Sequence, residues 1–149
     1  MTLNIATITD SLAGLGVQGI TILDKDEIKE SFTGYDCPVL CPRPNDFITA
    51  PQITSASFGT GTGHQMDVTY NLNYRYFHAP IGQGDLVKTW SDMVDGLFLI
   101  FYTIAVNDAI TGLVDLQITN ITQFGEVQDG AGNGYHGCDV TLRILEHIN

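Results

Sequence analysis

Cysteines, histidines, paired carboxylates and one glycine-rich loop are the features of this sequence that could do chemistry. Cys37, Cys41, Cys138 and His136 are residue types that bind zinc. Their spacing opposes a site. In an extended chain Cys37 and Cys41 lie about 13 Å apart, whereas two thiolates sharing a zinc must approach to about 4 Å. A tight turn would have to close that gap, and the neighbouring prolines work against it. A nucleophilic pair could be drawn from Cys138 with His136, or with His64. On one strand, positions 136 and 138 share a face but stand about 7 Å apart. Cys138 also continues the apolar row Val140, Leu142, Ile144, so it reads as core. The loop Gly59-Thr60-Gly61-Thr62-Gly63 lacks the lysine of a phosphate loop, and a strand pattern follows it where a helix N-terminus would be needed. Asp92 and Asp95 sit one helical turn apart on a polar face, which reads as solvated surface. The expectation is no catalytic residue, no metal and no cofactor.

The elements that would position these residues are legible from periodicity. Residues 3–15 read as a helix, with Ile5, Ile8, Leu12 and Leu15 at three- and four-residue spacing and Gly14 and Gly16 as a stop. Residues 20–23 read as a short strand. Residues 24–35 form an acidic link with room for a helical turn. The run 37–44 is extended, and its prolines restrict it to an edge strand or a loop. Residues 53–58 suggest a strand, and 59–63 a hairpin loop. From Met66 to Tyr76 apolar and polar residues alternate without a break, the pattern of a half-buried strand about 36 Å long. A strand of that length either projects beyond a small core, where it would meet another chain, or is bent by a bulge.

Residues 85–106 form the main helix, with Leu86, Trp90, Met93, Val94, Leu97, Phe101 and Ile104 on one face. Its second half, residues 96–102, is apolar nearly all round, which requires cover on more than one side. The sheet itself is the expected cover, and another subunit is the alternative. Residues 114–118 and 121–127 read as strand interrupted at Asn120. Residues 129–134 form a turn with Asp-Gly and Asn-Gly pairs, and Cys138 to Ile144 alternate as a last strand. The sum is one domain over residues 1–149. Its fold class is α+β, a mostly antiparallel sheet with two main helices packed on one face.

Composition narrows the function. The chain has 149 residues, 17 acidic against 6 basic side chains, and a formal net charge of −11. Lys25, Lys29, Arg43, Arg75, Lys88 and Arg143 are scattered, so no basic stripe exists to hold nucleic acid by attraction. Anionic membranes would repel the chain. Three cysteines imply no closed disulfide framework. The first ten residues have neither the basic start nor the apolar run of a secretion signal, so synthesis and folding in a reducing cytoplasm are expected.

In the order of its elements the sequence resembles the tail terminator proteins of long-tailed bacteriophages, also called tail-completion or neck proteins. The likeness runs through the helix Thr7-Ile8-Thr9-Asp10-Ser11-Leu12-Ala13-Gly14-Leu15, the strand Gly19-Ile20-Thr21-Ile22 and the segment Cys37-Pro38-Val39-Leu40-Cys41-Pro42. It continues in the strand Val68-Thr69-Tyr70-Asn71-Leu72-Asn73-Tyr74, the helix from Trp90 to Phe101, and the ending Tyr135-His136-Gly137-Cys138-Asp139-Val140-Thr141-Leu142. It is a likeness of pattern and order over nearly the whole chain, with no invariant motif. The resemblance implies a structural protein of the virion tail or neck, built into a homohexameric ring. Such a ring caps the tail tube protein and joins it to the head-completion or connector protein, while double-stranded DNA passes through its hole without specific binding. The net charge suggests an acidic channel that keeps DNA sliding by like-charge repulsion.

A head-to-tail ring needs two different surfaces on each subunit. The expected contacts are the 58–66 hairpin, with Phe58, Gly59, Gly61, Gly63 and His64, and the 129–136 turn, with Asp129, Asn133, Tyr135 and His136. The competing readings are a head-completion or stopper ring, which would be more barrel-like, a small enzyme using scattered residues such as His136 and Asp139, and a module binding a small ligand in an apolar pocket.

Overall fold

Alternation on two long strands sets the architecture. The computed structural model describes residues 3–59, 63–82 and 85–148. Its elements are α1 (Ile5–Ala13), β1 (Thr21–Ile22), β2 (Val39–Pro42), β3 (Gln52–Gly59), β4 (Gly63–Pro80), α2 (Leu86–Ala105), α3 (Asp108–Thr111), β5 (Asp115–Gln128) and β6 (Gly134–Ile148). Among the described residues six strands make one sheet in the order β1-β2-β4-β6-β5, with β3 also on β4. Every pairing is antiparallel except β1 with β2. The fold is α+β, with the mostly antiparallel sheet that the periodicity indicates.

β4 and β6 form its spine. Tyr70, Leu72, Tyr74 and Tyr76 of β4 lie opposite Ile144, Leu142, Val140 and Cys138 of β6, and all eight are buried. They meet Ile8 and Leu12 of α1 and Met93, Leu97, Ile100 and Ile104 of α2, so both helices cover the same face. Truncating one such side chain to alanine costs about 2–5 kcal/mol. The intervening residues, including Asn71, Asn73 and Arg75 on β4 and Thr141 and Arg143 on β6, give the other face its polar character. At one end that face also carries a second, smaller core of Leu23, Phe32, Val39, Cys41, Phe77, Val127 and Tyr135. Phe32 comes from the acidic link, which holds turns and no helix.

Local chemistry explains the boundaries. Asp85 caps α2 by accepting hydrogen bonds from the backbone N–H groups of Val87 at 2.9 Å and Lys88 at 3.3 Å. Gly96 lets α2 approach the sheet: a Cβ there would stand 2.6 Å from the Tyr76 hydroxyl. Asn107 caps the four-residue α3, which the periodicity does not reveal. Asn4, at the head of α1, makes no side-chain cap of its own helix. Its backbone N–H and side-chain amide donate instead to Glu146 of β6, at 2.9 and 2.7 Å. Glu146 is 2% exposed and also accepts from the Tyr70 hydroxyl.

Three expectations are corrected. The proline-flanked segment is not at the edge: β2 lies between β1 and β4, and Pro42 falls beyond the short β1 pairing, so its missing donor is not needed. Leu86 and Trp90 of α2 are 55% and 41% exposed, because only Met93, Leu97, Ile100 and Ile104 reach the sheet deeply. The sheet also does not wrap the second side of that helix, where Phe98 and Tyr102 stand 63% and 67% exposed.

Candidate assembly surfaces

The two loops expected to make contacts lie at opposite ends of the sheet. β4 runs antiparallel to β6 from the Met66–Ile148 pair to the Pro80–Tyr135 pair, a distance of roughly 45 Å at the usual rise per residue. The hairpin joining β3 to β4 extends past the first end, and the 129–134 turn closes the second.

The turn end is locked. Asp129, 9% exposed, accepts hydrogen bonds from the backbone N–H groups of Phe32 (3.1 Å), Ala131 (3.0 Å) and Asn133 (2.9 Å) and from the Asn133 amide (3.0 Å). Burial pushes its pKa up, but the Asn133 side chain and these backbone donors outweigh burial and hold it below the ordinary aspartate value. Tyr135 is buried, and its hydroxyl donates to the Phe32 carbonyl. These two expected contact residues therefore face their own protein. Asn133 is exposed and His136 is half-buried.

The hairpin end is open. Among the described residues, the pairs Ser57–Gln65, Phe58–His64 and Gly59–Gly63 lie beyond the last β4–β6 pair and form a two-stranded arm. Gly61 lies outside the described residues. Phe58, Gly59, Gly63 and His64 are placed as paired strand residues. Along β3, residues 52–57 are all exposed, Ile53 at 63%. From Phe47 to Met66, twenty successive residues include no Asp, Glu, Lys or Arg.

A second uncharged surface lies on the far edge. Val87, Trp90, Val94, Phe98 and Phe101 follow one another at three- and four-residue spacing along a flank of α2 beside its core-facing row. The Trp90 ring meets Phe124 of β5 edge-on, with centroids 5.6 Å apart. Ile121, opposite buried Val140, is 40% exposed on the helix-bearing face. β5 residues 116–125 carry no charge. The strand shifts register between Ile118 and Asn120 and between Thr122 and Gly125, with Gln123 at φ 51°.

The polar face holds a cleft of about 610 Å³ lined by Lys29, Phe32, Arg43, Arg75 and Phe77, among others. Asp139 lies beneath it, 3% exposed. Arg75 grips Asp139 with Nε and Nη2 at 2.6 and 3.0 Å, and Arg43 Nη1 adds a third contact at 2.9 Å. Arg43 Nε also meets Asp46 at 2.8 Å, and Arg75 Nη1 donates to the Gln128 carbonyl. The bond to Asp139 raises the Arg75 pKa against the opposing effect of burial. The guanidinium groups are thus engaged in joining β2, β4, β5 and β6.

The catalytic alternatives lose their geometry. His136 lies on the helix-bearing face with Cys138, while Asp139 points to the polar face, so they cannot share a site. Cys41 and Cys138 lie in cores on opposite faces of the sheet. Burial pushes the thiols of Cys37 and Cys138 up to about 11 and about 12, against nucleophilic character. Among the described residues no group of three His, Cys, Asp or Glu is placed to hold a metal ion. Lys88 pairs with Asp92 at 2.7 Å on the exposed side of α2. Sequence reasoning missed His78, half-buried on the helix-bearing face and 3.1 Å from the Tyr76 hydroxyl, with its pKa lowered mainly by burial. Its place two residues past the alternating run hides it. No family model matches the chain, and no curated protein matches it.

Proposed function

We propose that this protein is a structural subunit of a phage tail, a tail terminator that closes into a ring over the end of the tail tube and joins it to the neck. The observation that carries this reading is the uncovered apolar flank of α2. Phe98 and Tyr102 lie on a helix whose other side is fully packed, and exposed aromatics on this scale mark surfaces made for another protein. The arm projecting past β6 and the order of elements shared with tail terminators support the same reading, as does an acidic composition suited to a channel that DNA must not adhere to.

Multi-angle light scattering with negative-stain imaging tests it. The expected result is a six-fold ring with a hole wide enough for duplex DNA, formed by the chain alone or on addition of tail tubes. Failure to form a ring in both settings overturns the proposal.

A further inference from the structure

The cleft on the polar face has the make-up of a ligand site. Its volume of about 610 Å³ falls in the range of pockets that hold small molecules. It also gathers the scarce positive charge of this chain. Of the six basic side chains in the sequence, three line this one cleft: Lys29, Arg43 and Arg75. In a chain with 17 acidic residues, that placement sets the cleft apart from the rest of the surface.

The two guanidinium groups are held from behind, and each offers more N–H donors than its protein partners use. Arg75 gives two donors to Asp139 and one to the Gln128 carbonyl. Arg43 gives one to Asp139, and its Nη2 donates to nothing among the described residues. Asp139 is buried, so two cations share one anion and the trio keeps a net positive charge. An anion arriving from the solvent side balances it. Arginines already fixed by a buried carboxylate lose little side-chain freedom when they bind one.

The acids around the cleft leave that place open. Asp129 uses both oxygens on donors from its own turn and from Phe32. Glu30 lies along Gly130 and pairs with neither arginine among the described residues. Asp46 reaches Arg43 Nε at 2.8 Å, but its side chain is 52% exposed, so the contact is weak and open to exchange. Among the described residues Arg75 pairs with no acid other than Asp139.

Below the charges the cleft is apolar. Phe32 and Phe77 are buried, with ring centroids 4.7 Å apart, and form its floor. Cys41, Pro42 and Pro44 add to the wall. A bare inorganic anion leaves this apolar surface unused. A carboxylate on an apolar body uses both halves, with charge-assisted bonds at one end and burial at the other.

We propose that this cleft binds an organic carboxylate with an apolar body, its charge on Arg43 and Arg75 and its body against Phe32 and Phe77. A free small acid and the carboxyl end of a peptide share that chemistry. The site lies apart from the flank of α2 and does not depend on ring assembly.

Calorimetric titration and amide NMR of the full chain test it with three probes: phenylacetate, N-acetyl-alanyl-phenylalanine with a free carboxyl group, and the amide of the same dipeptide. At least one of the two acids is expected to bind with a Kd of about 1 mM or tighter, shifting the amide signals of Phe32, Arg43 and Gly130. The dipeptide amide is expected to bind at least about tenfold more weakly than the dipeptide acid. Tighter binding of the dipeptide acid assigns the site to a chain end, and tighter binding of phenylacetate assigns it to a free acid. Arg43→Gln is expected to weaken binding at least about tenfold. Asp46→Asn removes the competing acid and is expected to tighten binding about threefold, a gain that damage to the fold does not produce. Circular dichroism melts establish that both variants are folded. No binding of either acid at about 10 mM, equal binding of dipeptide acid and amide, or binding indifferent to both substitutions overturns the site. Light scattering on the same samples is expected to show association unchanged by the probes, so the ring reading stands or falls separately.

Discussion

The β5–β6 turn and the β3–β4 hairpin are both glycine-rich connections between long strands, yet one is part of the protein's interior and the other stands outside it. At the turn, a single buried carboxylate gathers four donors, three from residues within four positions and one from Phe32 across 97 residues of sequence. The link that brings Phe32 also supplies Glu30, whose carbonyl accepts from the Ala131 N–H at 3.1 Å. The hairpin's three outer described pairs, Ser57–Gln65, Phe58–His64 and Gly59–Gly63, lie beyond the last β4–β6 pair among the described residues. What separates the two is whether a distant segment folds back over the connection. An aspartate at the first position of the turn makes that return worthwhile by offering it an acceptor.

Several substitutions sharpen or break this contrast. The largest effect is expected beside the locked end, from Asp139→Ala. It removes the buried carboxylate that both guanidinium groups share and should destabilise the fold by about 3 kcal/mol, read as a fall in melting temperature. Asp129→Ala follows, leaving backbone donors of Phe32, Ala131 and Asn133 without their acceptor, at about 2 kcal/mol. At the open end, Ser57→Lys should change the stability of the monomer by less than about 0.5 kcal/mol. An equal loss at both ends would refute the distinction.

The smallest effects concern pH, and the two ends should respond with opposite sign. The Asp129 pKa is lowered in the folded protein, so its contribution is present above the ordinary aspartate value of 3.8 and is lost as the pH falls through the lowered one. Acid should therefore loosen the locked end first, visible as early exchange of the Phe32 and Ala131 amides. His147, near the base of the arm, has a raised pKa, chiefly through its hydrogen bond to Asp67 at 2.5 Å. Its contribution is full below the unfolded value near 6.5 and disappears as the pH rises through the raised one. His147→Gln should abolish a slight gain in stability on acidification from neutral pH and leave the Asp129 response unchanged.

The spine of the fold is visible in the sequence because β4 and β6 alternate cleanly, and alternation fixes which side chains face the helices. The break at Asn120 appears as the first register shift in β5, whereas the second, between Thr122 and Gly125, falls in a stretch that reads as unbroken strand. Long-range cover is what escapes such reading. The acidic link reads as a connection with room for a helical turn, yet its Phe32 anchors the second core. Asp129 reads as a contact residue for another subunit because the partner that buries it lies far away in sequence. The apolar second half of α2 is legible, and the pattern favours cover by the sheet, a decision that goes the other way in the fold. That decision depends on β5 being kinked at the edge, with Ile121 and Phe124 beside the helix instead of over it.

The clasp between Asn4 and Glu146 has a consequence for the order of folding. The N–H at the head of α1 meets a carboxylate 142 residues away, so α1 can form its turns locally but is secured only when β6 has paired in the sheet. Contacts at such sequence separation slow folding. The same carboxylate also holds the Tyr70 hydroxyl of β4, so docking of the helix and closure of the sheet's spine are settled at one side chain.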